Sequence, residues 1–121
     1  MSQNIKIICF DIDNVICKTN SRNDYNKSKP KKKIIRFINK LYDSGYIIKI
    51  YTARYMGRNN ENYFKVNKLY FKTTELILKR WGLRYHRLYM GKPNFDIFID
   101  DKSLNFNCKW PKQLAKKIKF K

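Results

Sequence analysis

The chain is expected to fold as an α/β domain, a three-layer α/β/α arrangement around a mainly parallel sheet, on three observations. The short apolar runs Ile7-Ile8-Cys9-Phe10 and Ile97-Phe98-Ile99 read as strands buried on both faces, the kind found in parallel sheets. Stretches with helical spacing alternate with strand-like stretches between them. The polar residues with most chemical potential also follow directly on strand-like runs, where open parallel sheets bind their ligands. With 121 residues, the expectation is one domain over positions 1–121.

The elements follow in order. Residues 4–11 are the first expected strand. Lys18 to Lys33 is polar, holds Asn20, Ser21, Asn23, Asn26, Ser28 and Pro30, and reads as a loop with room for a short hairpin. Ile34, Ile35, Ile38, Leu41 and Tyr42 recur at helical spacing, and Gly45 is placed to end that helix. Tyr46 to Tyr51 is the second strand, stopping at Thr52, and Ala53 to Asn62 is a polar loop. Phe64 to Trp81 reads as a helix with Thr74 as an internal cap and Gly82 as its stop. Leu83 to Met90 holds the third strand, Gly91-Lys92-Pro93 a turn, and Asp96 to Asp100 the fourth strand. Trp110, Leu114 and Ile118 have the spacing of a short terminal helix.

Composition narrows the setting. No apolar run reaches membrane-spanning length, and Met1-Ser2-Gln3-Asn4 opens without a signal-peptide pattern, so a cytoplasmic protein with no membrane partner is expected. Cys9, Cys17 and Cys108 are odd in number and lack metal-type spacing, which reads as reduced thiols in or near the core. His86 stands alone and reads as a packed or surface residue. The formal charge of +19 points to nucleic acid or another anionic partner. Against that, Lys, Asn and Ile supply 49 of the 121 residues, and their A- and T-rich codons offer a genomic cause for the lysines.

The nine acids are unevenly placed. Asp11 and Asp13 close the first apolar run, and Asp100 and Asp101 close the last one. Carboxylates this close need a counter-charge, which a hard, oxygen-seeking cation such as Mg2+ supplies. Asp96 lies nearby but reads as a turn residue, outside the site.

Phe10-Asp11-Ile12-Asp13-Asn14-Val15, Tyr51-Thr52-Ala53-Arg54, Gly91-Lys92-Pro93 and Phe98-Ile99-Asp100-Asp101 together resemble the four ordered motifs of the haloacid dehalogenase superfamily, over residues 5 to about 105. The resemblance extends to small phosphatases of capsule and surface-polysaccharide synthesis. It implies a Rossmann-like core and a phosphatase with an aspartyl-phosphate intermediate. Asp11 would be the nucleophile and Asp13 the general acid and base. Thr52 would bind a phosphoryl oxygen, and Lys92 would neutralise charge on the transferring group. Mg2+ would be held by Asp11, the Asp13 carbonyl and Asp100, with Asp101 as a further candidate. Arg54 and Arg58, on the loop after the second motif, are candidates for gripping a second anionic group of the substrate, or are simply solvated.

Asn14 stands where many relatives have Gly and Val15 where many have Thr; both variants are familiar among phosphatase members. The intervals Asn14 to Lys33 and Ala53 to Gly91 leave no room for a cap domain, so the site is expected to be open unless a neighbouring subunit of a homo-oligomer closes it. The leading expectation is a Mg2+-dependent phosphatase acting on a phosphorylated sugar or related metabolite, including a glycan precursor. The alternatives are a nucleic-acid end (3'-) phosphatase and a non-catalytic basic nucleic-acid-binding protein.

Overall fold

The computed structural model describes residues 5–120. Asn4, the start of the expected first strand, and the rest of Met1-Ser2-Gln3-Asn4 lie outside the described residues. The elements are β1 (Ile7–Phe10), β2 (Cys17–Lys18), β3 (Lys29–Pro30), α1 (Lys32–Asp43), β4 (Ile47–Thr52), α2 (Tyr63–Arg80), β5 (Arg87–Met90) and α3 (Trp110–Lys117). Strands β1, β4 and β5 form a parallel sheet in the order β1-β4-β5, with Phe10 opposite Ile50 and Thr52 opposite Met90. This is a small Rossmann-like α/β domain. The polar stretch after β1 forms a separate antiparallel hairpin of β2 and β3.

Local chemistry explains the helices. Ile35, Ile38 and Leu41 bury one stripe of α1, and Gly45 accepts the φ of +97° at which the chain leaves it. The Asn62 side chain accepts the Lys65 N–H and caps α2, which buries Val66, Thr74 and Leu78. Thr74 is not a cap. Its buried hydroxyl donates to the Tyr70 carbonyl inside the helix, a bond open to any mid-helix threonine.

Both crossovers, β1-α1-β4 and β4-α2-β5, step across the sheet in the same direction. Right-handed connections therefore bring α1 and α2 to one face. Ile8, Phe10, Ile48, Ile50, Thr52, Leu88 and Met90 point into that face and are buried. The ring of Trp110 brings α3 to it as well, 5.8 Å from Phe10 and 6.1 Å from Phe37. On the other face Ile7, Cys9, Ile47, Arg87 and Tyr89 are exposed, while Lys49 and Tyr51 are half-buried. The expectation that β1 is buried on both faces thus fails on one side, where Ile7 is 54% exposed. Among the described residues the helices cover only one face of the sheet.

The second departure concerns Asp96 to Asp100. No strand forms there, and Ile97 and Ile99 are 81% and 92% exposed. A short apolar run does not by itself name a partner, and among the described residues β1 pairs only with β4, leaving its other edge free. The segment instead stacks Phe95 on Phe98, with centroids 4.9 Å apart, and brings both rings within 5.4 Å of Lys92 Nζ. Cys17 is buried as expected of a core thiol, whereas Cys9 and Cys108 are exposed, Cys9 because it points to the uncovered face. His86 is an exposed residue at the sheet, where its Nδ1 accepts the Ile48 N–H at 3.0 Å and its ring stacks on Tyr42.

Candidate active site

The carboxyl ends of the parallel strands gather Asp11, just past β1, Thr52 at the end of β4, and Lys92, two residues past β5. Lys92 Nζ lies 3.5 Å from Asp11 Oδ2, and the other Asp11 oxygen accepts the Ile12 N–H at 2.8 Å. Burial raises the Asp11 carboxyl above its usual range. Lys92 and the Ile12 N–H pull it back down in part, and the neighbouring Asp13 pushes it up again. The Asp11 side chain still keeps 36% of its surface open to solvent. It is therefore an accessible carboxylate with a cation on one oxygen.

Lys92 is held from several sides. Its N–H donates to the Thr52 carbonyl at 3.1 Å, which fixes the turn after β5 to the end of β4. Tyr51, Phe95 and Phe98 present their rings to its ammonium. Gly91 makes the turn possible: its φ is +101°, and a Cβ there would run into the Tyr63 ring.

Thr52 is fully buried, and its Oγ1 accepts the Arg54 N–H at 3.0 Å. Asn14 takes the left-handed conformation, φ 65°, directly after Asp13. Asparagine tolerates that region, so no glycine is required for the chain to turn back toward Ile12.

Arg54 is neither solvated nor open to a substrate group. Its side chain is 0% exposed, and it forks onto Asp13: Nη2 reaches Oδ1 at 2.9 Å, and Nε lies 3.0 Å from Oδ2 and 3.2 Å from Oδ1. Its backbone position after Thr52 points the side chain inward toward the hairpin, where a carboxylate can offset its desolvation. That burial works against the guanidinium's charge, yet Asp13 outweighs it and leaves Arg54 above its usual range. Arg58 is exposed; its Nη2 donates to the Asn23 carbonyl, and its guanidinium lies 4.7 Å from the Tyr25 ring and 5.7 Å from the Tyr55 ring.

Three residues beside Asp13 were not legible as site residues. Thr19 Oγ1 donates to Asp13 Oδ1 at 2.5 Å, Ser28 Oγ lies 2.7 Å from Thr19 Oγ1, and the Tyr25 ring faces Arg54 at 4.6 Å. The stretch that supplies them reads only as a polar loop. Hydroxyls become site residues when the hairpin pairs Cys17 with Pro30 and Lys18 with Lys29.

The second acidic pair is not brought to the first. Asp100 and Asp101 are exposed, and Asp100 Oδ1 accepts the Lys102 N–H within its own turn. Among the described residues, no group of three or more His, Cys, Asp or Glu side chains is placed to hold a metal ion. The Asp100 carboxylate, turned into its own loop, does not stand beside Asp11 in this arrangement, so of the expected Mg2+ donors only Asp11 and the Asp13 carbonyl lie at the end of β1. The positive charge facing Asp11 is that of Lys92.

The fold has counterparts among solved structures. A crystal structure of a structural-genomics target from Vibrio cholerae matches with a TM-score of 0.74 and 24% identity, over 93% of this chain and 98% of that one. Two structures of the Pnkp1/Rnl/Hen1 complex, an RNA repair complex, match with TM-scores of 0.52 and 0.51 at 20% and 18% identity. They cover 95% and 94% of this chain, which spans 34% and 32% of the length of those chains. At these identities the likeness establishes the fold. No family model matches the sequence, and comparison with curated proteins gives no match. No helix among the described residues is long and apolar enough to cross a membrane.

Proposed function

We propose that this chain is a phosphomonoesterase of the haloacid dehalogenase type, with Asp11 as its nucleophile. The observation that carries the reading is the Asp11–Lys92 pair at the carboxyl edge of a parallel sheet, with Asp13 two residues along and held in place. Asp11 attacks phosphorus, and the bond to the leaving oxygen breaks with its electron pair on that oxygen, which takes a proton from Asp13. Water then attacks the aspartyl phosphate and gives a proton to Asp13. The Asp11–phosphorus bond breaks, returning the carboxylate and inorganic phosphate. Lys92 offsets charge on the transferring group, and Thr52, whose oxygen already accepts a backbone N–H, has its hydroxyl proton free for a phosphoryl oxygen. Mg2+ belongs to this reading as a requirement to be tested, and none of these steps runs through it.

Between the two substrate classes, a phosphorylated nucleic-acid end is the better supported. The formal charge of +19 suits a polyanion, and two structural neighbours are parts of an RNA repair complex. The motif resemblance to polysaccharide-synthesis phosphatases favours a phosphorylated sugar. Phosphate release from 3'- and 5'-phosphorylated oligonucleotides, sugar phosphates and nitrophenyl phosphate, each with and without Mg2+, tests both. Turnover lost in Asp11→Asn supports the reading, and a wild type inactive on the whole panel removes it. Preference for the oligonucleotides over the sugars decides the substrate class.

A further inference from the structure

The two oxygens of Asp13 are in unequal surroundings. Oδ1 receives Arg54 Nη2 at 2.9 Å, Arg54 Nε at 3.2 Å and Thr19 Oγ1 at 2.5 Å, with Cys17 Sγ at 3.8 Å. Among the described residues Oδ2 receives only Arg54 Nε, at 3.0 Å. A carboxylate oxygen has two lone-pair directions, so Oδ1 is saturated while Oδ2 keeps one free.

The donors on Oδ1 form a directed chain. Arg54 has no lone pair to offer, so its Nη2 donates to Ser28 Oγ at 3.1 Å. Thr19 must spend its proton on the carboxylate, so Ser28 donates to Thr19. Every proton in the chain runs toward Oδ1. The guanidinium cannot swing away, because it is fully buried with its face on the Tyr25 ring, 4.6 Å away. Its Nη1 is buried without a hydrogen-bond partner among the described residues.

We infer that Arg54 and Thr19, tied together by Ser28, are positioning residues that occupy Asp13 Oδ1 and leave Oδ2 as the oxygen that exchanges the proton with the leaving group and with water. This rests on the phosphomonoesterase reading and gives Arg54 a role other than gripping substrate. In the first displacement the proton on Oδ2 passes to the leaving oxygen as that oxygen takes the electron pair of the breaking phosphorus bond. In the second, the attacking water returns a proton to Oδ2.

The test compares two leaving groups. Nitrophenolate departs as a stable anion, whereas phenolate gains more from protonation, so phenyl phosphate reports on Asp13 more strongly than nitrophenyl phosphate. Arg54→Lys keeps the charge but loses the fork. It is expected to lower kcat/KM, which reports the first displacement, on the order of 10-fold more for phenyl phosphate than for nitrophenyl phosphate. Thr19→Val and Ser28→Ala, which leave the ion pair in place, shift the same ratio in the same direction by less and cover the case in which Arg54→Lys folds poorly. Equal losses of kcat/KM on both substrates overturn the inference. Wild-type turnover that survives Asp11→Asn, or no wild-type turnover at all, overturns the reading beneath it and the inference with it.

Discussion

Lys92 Nζ meets Asp11 Oδ2 at 3.5 Å, although the two follow strands β5 and β1, which have β4 between them and share no hydrogen bond. The pair spans the sheet at its carboxyl edge because the Lys92 N–H is fixed to the Thr52 carbonyl. Its members are far apart in sequence, and only parallel stacking makes them neighbours.

Asp11→Asn is expected to abolish turnover and to stabilise the fold at neutral pH. Burial raises the Asp11 carboxyl, so folding favours its protonated form. The stability it allows is full below the ordinary carboxylate value of about 3.9 and is lost as pH rises through the raised folded value. The variant does not titrate there. Urea denaturation from pH 3 to 8 should show its advantage opening over that window. An advantage that shrinks with rising pH would contradict the assigned cause.

The acid limb of kcat/KM should likewise lie above the ordinary aspartate range, since attack needs the ionised Asp11. Rate profiles with nitrophenyl phosphate read this directly. A limb at or below that range would separate the rate from Asp11 ionisation.

Lys92→Ala is expected to lower kcat on the order of 100-fold or more, the scale of losing one preorganised positive group at a developing anion. Lys92→Arg restores little, because the space between Asp11, Tyr51, Phe95 and Phe98 is shaped around a point charge. Steady-state kinetics on nitrophenyl phosphate check both. Full activity in Lys92→Ala would remove the lysine from the site.

Gly91→Ala is expected to cost about 1–3 kcal/mol of stability from strained backbone, with a further steric cost against the Tyr63 ring. Tyr63 is half-exposed, so Tyr63→Ala in the same chain should recover the steric part and leave the backbone part. Denaturation midpoints of the four proteins separate the two, and equal stabilities throughout would show that the turn readily adapts.

Removal of divalent cations tests Mg2+. The acids of the described structure form no cage, so a required cation must draw Asp100 toward Asp11. Mg2+ is expected to restore turnover after chelation, and Asp100→Asn to need a higher concentration. Turnover that is unchanged by chelation would leave Lys92 as the sole counter-charge.

Much of the fold was legible because local pattern decides it. Ile35, Ile38 and Leu41 at helical spacing, with Gly45 behind them, specify α1 without reference to the rest of the chain. The same holds for Trp110 and Leu114 in α3. Asp96 to Asp100 forms no strand although β1 has a free edge, because an apolar run does not specify the pairing and register that a strand also needs. The two-sided burial expected of β1 is not met at Ile7 and Cys9, because a run of apolar residues cannot tell one covered face from two.

What the sequence determined by itself is the parallel α/β class, the helix stripes and the position of Asp11, Asp13, Thr52 and Lys92 at strand ends. Tertiary structure decided what those residues touch. Arg54 looks like a surface residue on a polar loop until the β2–β3 hairpin folds Thr19 and Ser28 beside Asp13 and shuts water out. A buried guanidinium is tolerable only with a carboxylate in reach, and that partner lies 41 residues away in the chain. Spacing along the chain carries no record of such a contact; it exists only once three separate segments pack around one carboxylate.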